Sequence, residues 1–129
     1  MKKPAASWNF ALGAVGADLI CDPSTGNGSF ESRHDRTARP TVIIGIAGTW
    51  EETFKVLMHE AMEATIALRN LRYRLESFDR ADGSMGTIML MTHEQFTSVV
   101  DEASHFALHA LPRVQASWKE LHKRGKKRA

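Results

Sequence analysis

The sequence predicts an α+β fold in which a small mixed or antiparallel sheet packs on two helices, the second of them long. Three observations carry this. Short alternating or β-branched runs come before, between and beside the helical segments, without the regular alternation of a doubly wound fold. Two capping boxes, Thr49-Trp50-Glu51-Glu52 and Thr92-His93-Glu94-Gln95, each open an amphipathic run. The length, 129 residues with 43% hydrophobic and 25% charged, suits one folded domain.

Trp8, Phe10, Leu12 and Ala14 alternate and predict a strand over 8–15; Asp18 to Cys21 extends it or begins a second strand. Asp22-Pro23-Ser24-Thr25-Gly26-Asn27-Gly28 is dense in turn formers, and residues 29–40 read as a loop or weak edge strand. The run TVIIGI, 41–46, is β-branched and bounded by Pro40 and Gly48, which makes it the strongest strand. The first capping box then opens a helix over 50–69, with Glu51 and Glu52 at the positive end of its dipole. Asn70 stops this helix, and Asp82-Gly83 marks a turn within the polar stretch 75–84. MGTIMLM, 85–91, predicts a further strand. Met91 and Phe96 can staple the second helix, which runs 93–111 and stops or kinks at Pro112 before a shorter helix over 113–123.

Composition excludes several classes. One cysteine, Cys21, cannot form an intrachain disulfide, so a reducing, cytoplasmic setting is expected. No apolar run approaches the ~20 residues that span a bilayer. The stretch 8–21 is broken by Asn9, Gly13, Gly16 and Asp18, which makes a poor signal-peptide core. There is no Walker A or dinucleotide fingerprint. The net charge of +2 sums unlike parts: residues 4–118 hold 9 basic and 14 acidic side chains, whereas 119–129 hold six basic residues against Glu120. The organisation read from this is a single domain over 1–118 and a basic tail over 119–129. The tail reads as a solvated, disordered segment, with nucleic-acid contact the weaker alternative because no aromatic residue interleaves within 123–128. A chain of this length needs no metal to hold its fold, so a metal site would serve chemistry.

The stretch Val56-Leu57-Met58-His59-Glu60-Ala61-Met62-Glu63 is the most informative. On a helix, His59 and Glu63 are four apart and project from the same side, where imidazole nitrogen and carboxylate oxygen can share one metal. Glu60 stands beside them, placed to take a proton from water that the metal activates. Helical phase puts Trp50, Phe54, Leu57, Met58, Ala61, Met62 and Leu68 on one broad apolar stripe. His59 and Glu63 fall on another side with Val56, Ile66 and Ala67, so the helix is expected to be covered on two sides.

A β-branched strand, a short turn and a helix carrying His-Glu-x-x-ligand resembles the active-site helix of zincin metallopeptidases, and most of all the small zincin-like proteins found in phages and prophages. The resemblance covers about 41–111. It implies His59 and Glu63 as metal ligands and Glu60 as general base. The family's second ligand is usually His, and Glu63 stands there instead. A carboxylate binds zinc but adds charge, and it also suits Mn²⁺ or Fe²⁺. It is equally consistent with a homologue that has lost catalysis.

The third ligand is sought on the second helix. His93 lies at its N-terminus and at the core margin, where the helix dipole favours the neutral ring a ligand needs. His105 and His109, with Asp101, have ligand spacing but share a face that reads as solvated. His93 is the choice, with His105 and His109 as the alternatives. The resulting expectation is a metal-dependent hydrolase, a small zincin-like metallopeptidase with a peptide or protein substrate lying along an exposed sheet edge. The alternative is a non-catalytic phage or prophage interaction protein that keeps the scaffold and binds a protein partner.

Overall fold

The computed structural model describes residues 7–31, 40–69, 71–75 and 86–127, of which 72–75, 86–88 and 124–127 are described by their backbone alone. The expected turn at Asp82-Gly83 lies outside these residues. The architecture is α+β, with four strands in one mixed sheet and two helices on it. β1 (Ser7–Leu12) and β2 (Val15–Asp22) form an antiparallel hairpin. β3 (Gly28–Glu31) is an edge strand antiparallel to β4 (Thr41–Gly45), and β4 runs parallel to β2. The order is therefore β1-β2-β4-β3. α1 (Trp50–Leu68) lies on β3 and β4, and α2 (His93–Lys127) lies on β1 and β2 and against α1. β5 (Arg72–Leu75) and β6 (Gly86–Met89) make a separate two-stranded ribbon. No helix among the described residues is long and apolar enough to cross a membrane.

The strand pattern explains the layering. Leu12, Ala17, Leu19, Val42 and Ile44 alternate along their strands and are all buried on one face, where they meet Leu57, Ala61, Phe106 and Ala110 of the helices. Phe10 and Phe106 pack edge to face with ring centroids 6.3 Å apart. A second small cluster of Ile66, Leu71 and Val99 joins the far end of α1 to α2, and Met91 packs against it.

Both capping boxes are present. The Thr49 hydroxyl accepts from the Glu52 amide at 3.1 Å while Glu52 accepts from the Thr49 amide at 3.3 Å; Thr92 and Gln95 exchange the equivalent bonds at 3.1 and 2.8 Å. The expected staple is only half made, because Met91 is packed and Phe96 is 48% exposed.

Three expectations are corrected. The buried sector of α1 is Thr53, Leu57, Glu60, Ala61, Ala64, Thr65 and Ile66, whereas Phe54 and Leu68 of the expected stripe are exposed. The helix lies close to its neighbours, and small residues fill the nearest approach, which hydropathy does not weigh. Second, β5 falls between the expected helix stop at Asn70 and the polar stretch 75–84, where no strand was expected. Third, α2 is one helix through Pro112 and on to Lys127. Pro112 and Leu108 are both exposed, so the Leu108 carbonyl that loses its partner faces water. Part of the expected disordered tail is thus helical.

Between β2 and β3 the chain crosses the end of β4. Ala47 N–H donates to the Thr25 carbonyl at 3.0 Å, and the backbone of Thr25 and Asn27 lies directly over Gly45. A Cβ at Gly45 would collide with backbone that no side-chain rotation can move. Gly45→Ala is expected to cost about 2–3 kcal/mol of stability, measured as a drop in the denaturant midpoint with an unchanged slope.

Candidate metal centre

α1 emerges from β4 through the turn Ile46 to Thr49, which is held by Ile46 N–H to the Asp22 carbonyl at 2.9 Å and by the cap. From that start, helical phase sets Val56 and Glu60 against β3. Gly28, the first residue of β3, makes the contact possible. A Cβ there would stand 2.6 Å from Val56 Cγ1 and 2.7 Å from Glu60 Cγ. The absent side chain lets the helix settle onto the strand and carries the Glu60 stem inward.

The three motif residues gather. His59, Glu60 and Glu63 each place a donor atom within 4.8 Å of the other two. His59 Nε2 and Glu63 Oε2 are 3.4 Å apart. Donors around an ion with bonds of about 2.0–2.2 Å lie about 3.3 Å apart, so this pair already has chelating separation. Glu60 forms the inner wall and is 4% exposed, whereas the His59 and Glu63 side chains are 64% and 35% exposed. The expected phase is therefore corrected: the buried member is Glu60 rather than the His59–Glu63 pair. An open groove lined by Asn27, Gly28, Lys55, Val56, His59 and Glu60 leads to it.

Glu60 is the chemically unusual group. Its Oε2 is buried and has no hydrogen-bond partner among the described residues. Burial, and then the charge of Glu63, push its carboxyl above the ordinary value near 4.5, with His59 pulling the other way. An orphaned buried carboxylate oxygen beside an imidazole and a second carboxylate is the donor chemistry of a divalent cation site. The group fits a metal, with His59 and Glu63 as its outer donors and Glu60 behind them.

His93 is not brought to this group. It lies exposed at the first turn of α2, while His59, Glu60 and Glu63 form the only metal-capable cluster among the described residues. His105 and His109 are exposed on α2, with ring centroids 4.2 Å apart, and lie outside that cluster. Arg69, near the end of the same helix, engages Glu102 of α2, with Nε donating to Oε2 at 3.0 Å and Nη2 to Oε1. Sequence reasoning missed Gly28 and Asn27, which it placed in a turn. A glycine at the start of a strand is the signal for such a close approach.

No protein-family model matches the chain, and comparisons with curated proteins and with solved structures find no match.

Burial of Glu60 has a stability consequence with a definite sign. The folded state holds its proton more tightly than the unfolded chain does. The contribution is therefore full below the ordinary carboxyl value and is lost as pH rises through the elevated folded value. In metal-free protein, Glu60→Met is expected to raise stability by about 1–2 kcal/mol at pH 8 and by much less at pH 4. Urea unfolding at the two pH values measures this, and an equal effect at both would contradict a charged, unpaired Glu60.

Proposed function

We propose that the protein is a divalent-metal-dependent hydrolase of the zincin-like kind, with a peptide or protein substrate. One observation carries the reading: the buried, unpartnered Glu60 oxygen beside His59 and Glu63. His59 and Glu63 hold the metal. Zinc bound there, or manganese or iron given the carboxylate ligand, would polarise a substrate carbonyl and lower the pKa of water. Glu60 takes the proton from the attacking water and returns it to the leaving amine. Its raised affinity for a proton suits a base that must become an acid within the same cycle. The groove beside β3 admits an extended chain along the sheet edge. A cytoplasmic setting fits the single free cysteine.

A second reading rests on a specific observation, namely that His93 supplies no third ligand to the group. On that reading His59 and Glu63 are a helix ion pair, and the chain is a phage or prophage interaction protein that binds a protein partner without catalysis.

Calorimetric titration of metal-free protein with Zn²⁺ separates the two. The enzyme reading expects one site, weakened about 100-fold or more by His59→Ala and by Glu63→Ala. Metal removal leaves thermal unfolding cooperative, since the core does not depend on the site. Glu60→Gln keeps the metal and loses about 100- to 10,000-fold in hydrolysis of a peptide that the wild type cleaves. Unchanged metal binding in both ligand variants, or full hydrolysis by Glu60→Gln, sinks the enzyme reading.

A further inference from the structure

We propose that the groove between the start of α1 and the C-terminal part of α2 binds single-stranded nucleic acid. Its wall is a cluster of three contacting rings, in which Trp50 is tilted by 58° against Trp118 and Trp118 and His122 are stacked. Trp50 and Trp118 have centroids 5.7 Å apart, and Trp118 stacks on His122 at 4.2 Å with an interplanar angle of 28°. Trp118 is pinned by its Nε1–H donating to the Gly48 carbonyl at 2.9 Å, and His122 by its Nδ1–H donating to the Trp118 carbonyl at 2.9 Å. All three rings are only half-buried and line the groove together with Thr49 and Glu52. A nucleobase extends this stack at its His122 end at little ordering cost, because the platform is already assembled. The Glu52 carboxylate on the wall is an acceptor for the exocyclic amino groups of bases.

Charge places the phosphates. Lys119 and Lys123 are exposed, each one residue beyond a ring of the stack. The helical backbone continues to Lys127 and carries Arg124, Lys126 and Lys127 in its sequence. From Trp118 to Lys127 the helix rises about 14 Å. Residues 4–118 carry a net negative charge, so a polyanion is drawn to this end and repelled from the rest. A duplex hides its base faces inside its own stack, so the ring platform selects single strands.

Anisotropy titrations of the full chain with labelled 12-nucleotide DNA and RNA single strands, the matching duplex and heparin test this. The expected result is single-strand binding with tryptophan quenching, at least about ten-fold tighter than duplex. His122→Ala should weaken it about ten-fold with thermal unfolding unchanged. Trp118→Phe, which keeps a ring but loses the Gly48 bond, should weaken it less. Lys119→Gln with Lys123→Gln should lower the slope of log affinity against log salt by between about one and two. Binding by His122→Ala equal to wild type, or duplex and heparin binding as tightly as single strands, overturns the proposal.

Discussion

The approach of α1 to the edge strand at Gly28 sets both the packing of the helix and the surroundings of Glu60. Close contact there places Leu57 and Ala61 in the core and, by the same helical phase, drives Glu60 against β3. Leu57, Ala61 and Ala64, all fully buried, fix the phase of α1 and so keep the stem of Glu60 against β3. The carboxylate is thus held without a partner by the packing around it. Ionised, such a group costs stability in the metal-free fold. On the proposed reading it is one of the unsatisfied features that concentrate at functional sites.

On the proposed reading, the cluster divides labour by depth. His59 and Glu63 are accessible and already close together, as residues must be to capture an ion from solution. Glu60, behind them, feels low dielectric and the charge of Glu63, and so binds its proton more tightly than an ordinary carboxyl group. The two roles require different environments, and adjacent positions on one helix supply them because a step of one residue turns the helix about 100°. The second feature of α1, its capped N-terminus, lies about three turns away beside Trp50 and Trp118, so the His59–Glu63 group in the middle of the helix and the rings at its start are separate.

Much of the fold was legible because its determinants are local. The capping boxes at Thr49 and Thr92 and the β-branched run of β4 need no knowledge of the partner elements. β5 was not legible: Tyr73 and Leu75 alternate with Arg72 and Arg74, and four residues are too few to separate a strand from a basic stretch. Pro112 misled because proline breaks a helix only where its lost hydrogen bond cannot be replaced, and here it lies on a solvated face. Within the site, the spacing of His59, Glu60 and Glu63 was enough to group them. Which of the three is buried was not readable, because it depends on Gly28, more than thirty residues away in the chain, and on how closely backbone meets helix. The same holds for the ring stack, whose members come from α1 and from a segment of α2 that local signals placed near a tail.

Whether His59, Glu60 and Glu63 hold a metal can be read from the histidine ring resonances while Zn²⁺ is added to metal-free protein. With six histidines in the chain, each ring reports on its own surroundings. A metal held by this group shifts the His59 resonances to saturation at one equivalent and leaves His93, His105 and His109 in place, and Glu63→Ala abolishes the His59 shift. Saturation at His105 and His109, or no shift at His59, would contradict a metal centre at this group.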